Sequence, residues 1–334
     1  MSPEEATSMQ KTRLVSGVRP TGLLHLGHLE GMLKNTASLQ DKYECFPFIA
    51  DWHSLTDVTD TSNLPHYKLQ AAIDWLSAGI DPDKSTLFIQ SHVAEHAELS
   101  TLLTMVTPVS WLERCPTYKD KIQDINQREG PSTGLLEYPV LMTSDVIVYK
   151  AAVVPVGADN VAHLEISREI VRRFNHIYGD VFPEPQPLLT KTAELPGLDG
   201  RKMSKSYGNT IQLSDPPETT TKNLMKMVTD PGRVRRNDPG NPEVCPVFAY
   251  HKVYNPDEVP QIDRDCRSAA MGCVDCKRNL SDNLITELTP FYEKRAQWAS
   301  KPEVVREVLG DGANRARGVA QETMAEVKEA MNLV

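Results

Sequence analysis

Between residues 12 and 91 the chain alternates short apolar runs with longer stretches of helical spacing, and this alternation limits the fold more than any other feature. Residues 12–17 (TRLVSG) read as a short buried strand. The turn Pro20-Thr21-Gly22 follows, then a helix over about 24–43. Residues 45–50 (CFPFIA) form a second strand, 65–78 a second helix and 85–91 (STLFIQS) a third strand. The order β-α-β-α-β favours a parallel sheet covered by helices on both faces, with ligands at the carboxyl ends of the strands. Residues 17–28 then lie in the binding crevice.

Further on, 152–156 reads as a strand ending at Gly157 and 161–178 as an amphipathic helix, so Gly157-Ala158-Asp159-Asn160 occupies the same kind of turn. After Ser206 the pattern becomes helical segments separated by turns such as Asp230-Pro231-Gly232 and Asp238-Pro239-Gly240-Asn241-Pro242. Residues 302–332 keep an apolar face through Val305, Val308, Leu309, Val319, Met324, Val327 and Met331, with Gly310 and Gly312 as an expected break. The expected fold is α/β, a doubly wound parallel Rossmann-like sheet over 1–210 with an all-helical domain over 211–334. The final helix is expected to pack back on the first domain. A chain of 334 residues accommodates two such domains, and no internal repeat is present.

A net charge of −9 means the surface as a whole repels a phosphate backbone, so nucleic acid must be met by local basic clusters. Arg172-Arg173, Arg233 with Arg235-Arg236, and Lys301 with Arg306 are such clusters, and each is equally explained as a solvated face. The first eleven residues contain Glu4 and Glu5 and lack the apolar core of a secretory signal. The most apolar stretch, 138–157, is interrupted by Asp145 and Lys150 and is too short and polar to span a membrane. A cytoplasmic protein is expected.

Two motifs carry chemistry. His25-Leu26-Gly27-His28 opens the first helix, where exposed backbone N–H groups and the helix dipole favour phosphate, and two imidazoles three residues apart share a face. They could stabilise charge on a pentavalent α-phosphorus; a structural or metal-binding histidine pair is the plainer reading. Gly27 lets a flat ligand approach the backbone. Lys202-Met203-Ser204-Lys205-Ser206 puts two lysines and two hydroxyls in a glycine-flanked loop, suited to closing two ammonium groups over a departing pyrophosphate. Alone it would equally be a solvated lysine loop.

With both motifs present in this order around a doubly wound pattern, the chain resembles the class I aminoacyl-tRNA synthetases. The stretches 17–22 (GVRPTG), 138–145 (YPVLMTSD), 154–160 (VPVGADN) and 163–168 (HLEISR) look like the tryptophanyl and tyrosyl branch, and the likeness covers nearly the whole chain. The resemblance implies His25, His28, Lys202 and Lys205 as catalytic residues. It also implies ATP contacts at Arg19, Pro20, Thr21, Gly22, Gly27, His28, Gly157, Ala158, Asp159, Lys202, Met203, Ser204, Lys205 and Ser206. Within the branch, tyrosyl enzymes typically carry Gln at the position of Met142, whose thioether suits an indole face better than a phenol. Asp145 would then accept the indole N–H, Tyr138 would help hold the α-ammonium, and Asn160 would lie beside the amino acid. Core packing is the plain reading of Met142, whereas Asp145 is a carboxylate in an apolar run and needs a partner. Related enzymes often have Glu at the Ala158 position and Gln at Asn160. The implied activity is ligation of L-tryptophan to tRNA(Trp) with ATP and Mg²⁺, by a homodimer whose interface is an inset at about 110–141. A tyrosine-specific enzyme, or a synthetase-like RNA-binding or redox-sensing protein without ligase activity, are the alternatives.

Four of the six cysteines, Cys245, Cys266, Cys273 and Cys276, fall within 32 residues as C-x20-C-x6-C-x2-C. Four thiols so spaced can hold tetrahedral Zn²⁺ or a [4Fe-4S] cluster, and spacing does not separate soft-ligand sites. Some bacterial tryptophanyl enzymes carry a [4Fe-4S] cluster at similar spacing, and the resemblance favours it. The cluster would lie near where such enzymes read the anticodon, beside Lys277 and Arg278. Cys45 and Cys115 read as buried structural thiols.

Overall fold

The computed structural model describes residues 11–124, 130–157, 161–189 and 195–334. Among them five parallel strands, β1 Arg13–Val18, β2 Glu44–Ile49, β3 Phe88–Ile89, β4 Val153–Val156 and β5 Gln186–Leu189, form one sheet in the order β3-β2-β1-β4-β5. The central pair β1 and β2 runs in register from Arg13↔Glu44 to Val18↔Ile49. Both faces of this pair are covered, which explains runs of apolar residues rather than alternation: Leu14, Val15, Phe46, Phe48 and Ile49 are all buried. Chain order reverses between β1 and β4, so the residues just after Val18, and Gly157 after Val156, lie at the crevice at the carboxyl ends.

Two elements differ from expectation for identifiable reasons. The third strand is two residues long rather than seven, because Gln90 leaves the ladder in a 3₁₀ turn and its side chain bonds elsewhere, to Trp52 N and Asp145. β5, unread in the sequence, contains Pro187 and survives because it is an edge strand, where a missing N–H costs no ladder bond.

The helices of the sheet region are α1 Leu26–His28, α2 Lys34–Leu39, α3 Asp51–Ser54, α4 Leu64–Ser77, α5 Glu95–Thr104, α6 Val109–Leu112, α7 Pro116–Asp124, α8 Thr133–Ile147 and α9 Val161–Tyr178. Between α1 and α2 the helix widens into a π turn over Leu29–Leu33. The amide of Asn35 donates to Glu30 O at 3.3 Å and Gly31 O at 3.2 Å, covering carbonyls in the widened turn.

Beyond residue 210 come α10 Pro217–Lys226, α11 Pro246–Tyr254, α12 Val259–Arg267, α13 Cys273–Ala299 and α14 Pro302–Ala330. α13 buries Leu280, Leu284, Leu288 and Phe291 in the same apolar cluster as Leu24, Leu26, Leu29 and Leu33 beside the first motif. A buried ion pair, Arg295 Nε to Asp74 Oδ1 at 2.8 Å, fastens α13 to α4, and Tyr254 donates to Glu30 Oε1 at 3.0 Å.

α14 is continuous, so Gly310 and Gly312 do not break it. Gly312 instead permits close packing: a Cβ there would stand 1.9 Å from Leu87 O beside β3. Past that contact, Ala313, Ala316, Ala320, Met324 and Val327 line the second apolar cluster with Val15, Phe46, Phe88 and Tyr149. No helix among the described residues is long and apolar enough to cross a membrane.

Candidate active site

The two motifs, far apart in sequence, are joined by backbone. Leu26 N donates to Ile211 O at 3.0 Å, Leu213 N to Leu24 O at 2.9 Å, and His25 and Gln212 form an isolated antiparallel bridge. This ladder brings the lysine loop to the start of α1. Lys205 reaches the turn after β1, where its Nζ donates to Gly22 O at 2.8 Å and lies 3.4 Å from Thr21 Oγ1. Pro20, next in that turn, is buried.

His25 N-caps α1, and its backbone N–H donates to His28 Nδ1 at 3.2 Å. The proton of a neutral His28 is thereby placed on Nε2. The rings are 3.8 Å apart between centroids. Burial and the nearby Lys205 ammonium lower the His25 pKa to about 4, and burial, His25 and Lys205 hold His28 well below its ordinary value. Both imidazoles are therefore neutral at pH 7, acting as dipoles rather than cations. Among the described residues Nδ1 of His25 is buried with no hydrogen-bond partner, a group that a bound ligand would satisfy. A Cβ on Gly27 would meet that ring at 3.0 Å.

Lys205 is the cation that reaches from the second motif to the turn before the first. Burial and Arg19 lower its pKa to about 8, so it stays mostly protonated at neutral pH. The loop that carries it is pinned by Asn209, which sequence reading did not single out. Ser204 N donates to Asn209 Oδ1 at 2.8 Å, and the Asn209 amide donates to Asp199 Oδ1 at 2.7 Å and Lys202 O at 3.2 Å. Met203 anchors the loop by burying its side chain in the cluster around Leu24 and Leu26. The backbone of Ser206 lies in a 3₁₀ turn, Lys205–Tyr207.

Arg19 pairs with Asp57 Oδ2 at 2.5 Å, and Lys121 of α7 also bonds Asp57. Asp57 and Lys121 were missed because their pairing spans 38 to 64 residues with no local pattern. Gly157 ends β4 at the crevice; Ala158, Asp159 and Asn160 lie outside the described residues.

α8 presents Tyr138, Met142 and Asp145 at i, i+4 and i+7, on one face. Ser132 caps the helix by accepting from Leu135 N at 3.2 Å. Met142 is half-buried. Tyr138 OH lies 2.9 Å from Cys115 Sγ, a contact unforeseen for a thiol read as merely structural. Asp145 is 2 % exposed and bonded by three side chains: His96 Nδ1 at 2.6 Å and Gln90 Nε2 at 2.7 Å on Oδ1, and His53 Nε2 at 2.8 Å on Oδ2. Burial alone would raise its carboxyl, but His53 and His96 outweigh that, so its pKa is lowered. A groove of about 320 Å³ runs past His53, Ser132, Glu137 and Tyr138.

Cys245 precedes α11, Cys266 is in α12, and Cys273 and Cys276 are in the first turn of α13; all four are free thiols. Burial, then the neighbouring Cys245, Cys266 and Cys273, push Cys276 up to about 12. The four sulfurs are thus gathered within electrostatic reach, although no group of three His, Cys, Asp or Glu among the described residues is arranged to hold a metal ion. The donor chemistry fits a soft metal group: the four thiols are half-buried, and Cys266 and Cys276, which burial makes reluctant to ionise alone, would ionise against iron or zinc. His251 Nε2 stands 3.3 Å from Cys276 Sγ. Lys277 Nζ donates to Met225 O, while Arg278 and Arg236 face Asp275.

The family of class I tRNA synthetases (W and Y) matches residues 7–289. The tryptophan–tRNA ligase of Thermotoga maritima is 48% identical over 326 residues, covering 96% of this chain and 99% of the relative. That of Aquifex aeolicus is 43% identical over 393 aligned residues, covering 96% and 100%. The tryptophanyl-tRNA synthetase of Campylobacter jejuni, solved with ADP and tryptophan, superposes with a TM-score of 0.84 at 34% identity over 96% of this chain and 99% of that one. A tyrosyl-tRNA synthetase of Archaeoglobus fulgidus shares the fold at a TM-score of 0.65 and 20% identity, covering 86% and 91%.

Proposed function

Because this chain belongs to the class I tRNA synthetases of the W and Y family, we infer that the crevice after β1 activates an amino acid with ATP and that the amino acid is tryptophan. The protein is a tryptophan–tRNA ligase. The observation that carries this is the convergence of the two motifs, with Lys205 seated on the Gly22 turn beside His25 and His28.

In the first step a tryptophan carboxylate oxygen bonds the α-phosphorus of ATP and the bond to the β-phosphate oxygen breaks, giving tryptophanyl-adenylate and pyrophosphate. The nucleophile comes with the substrate, so the protein supplies position and charge stabilisation. Lys205 and Lys202 stabilise the departing pyrophosphate. His28 donates from Nε2 and His25 from its buried ring, as neutral dipoles toward charge at phosphorus. Arg19, Pro20, Thr21, Gly22, Gly27 and Gly157, with Ala158, Asp159 and the loop through Met203, Ser204 and Ser206, line the nucleotide. ATP is used with Mg²⁺. In the second step the terminal ribose hydroxyl of tRNA(Trp) attacks the activated carbonyl and AMP leaves.

Tryptophan is held by Met142 against the indole face, Asp145 at the indole N–H, Tyr138 at the α-ammonium and Asn160 nearby. Asp145 favours this reading because a carboxylate has about four acceptor positions, and three donors leave one on Oδ2. Cys245, Cys266, Cys273 and Cys276 would hold a [4Fe-4S] cluster, with Zn²⁺ as the other soft occupant; the group would cross-link α11, α12 and α13. Iron and sulfide content of anaerobically purified protein distinguishes the two, and Cys273→Ser should lose the chromophore. The enzyme is expected to work in the cytoplasm as a homodimer. Exposed Met105, Val109 and Ile122, on or beside α5 to α7, supply apolar surface for the contact.

Charging tests the whole reading: purified protein with ATP, tryptophan and a tRNA(Trp) transcript should give acylated tRNA. No acylation by protein that binds both ATP and tryptophan would point to a synthetase-like protein without ligase activity.

A further inference from the structure

Behind Asp145 lies a closed hydrogen-bonded chain that substrate contact alone does not explain. His96 Nδ1 bonds Asp145 Oδ1 at 2.6 Å, and His96 Nε2 bonds Tyr149 OH at 2.6 Å. Gln90 Nε2 adds a second donor to Oδ1 at 2.7 Å. Tyr149, His96 and Gln90 are each 0 % exposed. The chain is boxed by rings: Phe46 stacks on Tyr149 at 4.7 Å, Phe88 lies 5.6 Å from Tyr149, and Phe48 and Phe88 flank His96 at 6.1 and 5.9 Å. Ser144 Oγ donates to His96 O at 2.6 Å, locking α5 to α8 at this point. A buried setting lined by aromatic rings strengthens each bond and penalises any unpaired member.

Proton direction follows from the partners. Asp145 is ionised and accepts only, so His96 Nδ1 carries a proton; Tyr149, kept protonated by burial, bonds Nε2 on the far side of the ring. Both acceptor positions of Oδ1 are then filled from behind. The carboxylate cannot rotate without breaking two short bonds.

We propose that His96, Tyr149 and Gln90 are positioning residues that lock the Asp145 carboxylate with Oδ1 saturated, leaving Oδ2 beside His53 as the acceptor that makes the site demand a heteroaromatic N–H. This rests on the reading of Asp145 as the indole acceptor. A site built around a substrate N–H rejects an analogue lacking it by about 10⁴-fold, because the buried acceptor is left unpaired. Losing the lock lets the carboxylate turn toward other donors, and discrimination falls.

The test compares tryptophan with β-(benzothien-3-yl)alanine, in which sulfur replaces the indole N–H, in amino-acid-dependent pyrophosphate exchange. His96→Leu should raise KM for tryptophan about tenfold or more, move kcat less, and leave KM for the sulfur analogue within about threefold, since fewer donors now hold the acceptor. His96→Asn, whose amide reaches the position of Nδ1, should recover much of the discrimination. Tyr149→Phe, a mild change that preserves packing, should lower discrimination in the same direction and serves if the leucine variant does not fold. Parallel increases in KM for both amino acids in His96→Leu, or discrimination unchanged in both His96→Leu and Tyr149→Phe, would overturn the positioning role. Asp145→Asn separates the two levels: if it leaves discrimination intact, the indole-acceptor reading itself fails, whereas collapse there with none in the His96 and Tyr149 variants refutes only the lock.

Discussion

Replacing Lys205 by alanine removes a half-buried ammonium that joins the loop to the turn after β1, with its 2.8 Å bond to Gly22 O and its neighbour Thr21. If that charge stabilises a departing pyrophosphate, its loss resembles removal of one preorganised donor from an anion site, about 10²–10³ in rate or roughly 3–4 kcal/mol. Tryptophan binding should change far less, because three of the four residues proposed to hold the amino acid, Tyr138, Met142 and Asp145, sit on α8. Acidity supplies an independent signature. With its pKa lowered to about 8 by burial and Arg19, Lys205 is charged below that value and loses its proton above it, so kcat/KM for ATP should fall as pH rises through about 8. Lys205→Arg keeps a charge at every accessible pH and should lose this alkaline limb even though its shape lowers the rate. Pyrophosphate exchange over pH 6 to 10 (about four units, bracketing the shifted value) and tryptophan binding by titration read both effects. An alanine variant that exchanges within about threefold of the parent, or one whose loss is equal in tryptophan binding, would refute the reasoning, given a preorganised-donor effect of this size.

Two further outcomes follow from the packing. Gly27→Ala should slow exchange by roughly 10- to 100-fold with little change in thermal stability, because its Cβ would press on the His25 ring at 3.0 Å and shift the donor proposed to act at phosphorus. Arg295→Met strands Asp74, buried at 1 % exposure, and should cost about 3–5 kcal/mol in denaturant unfolding. Burial, opposed by Arg295, already raises the Asp74 carboxyl to about 7; a raised folded pKa means the protonated acid favours the fold, so the variant's deficit should be smaller at pH 5 than at pH 8.

What the sequence made legible was periodic or clustered. The central strands, the α4 and α9 helices and both phosphate motifs stand out because burial on two faces, helical spacing and glycine turns leave local patterns. Asn209, which staples the loop, and the Asp57 bridge between Arg19 and Lys121 leave no such pattern, since each depends on chain segments meeting in space. Gly312 misled for the opposite reason: a glycine signals either a break or a close approach, and only the position of Leu87 O decides between them. Asp145 was marked by its cost in an apolar run, but its donors, spread over Gln90, His53 and His96, became visible only with the fold.

The most direct test of the central claim is pyrophosphate exchange by the parent protein with each amino acid supplied alone. Tryptophan should support exchange and tyrosine should not, by a margin of at least about 10³-fold, because an indole N–H donor and a phenol make different demands on Met142 and Asp145. Exchange with tyrosine and none with tryptophan would contradict the account.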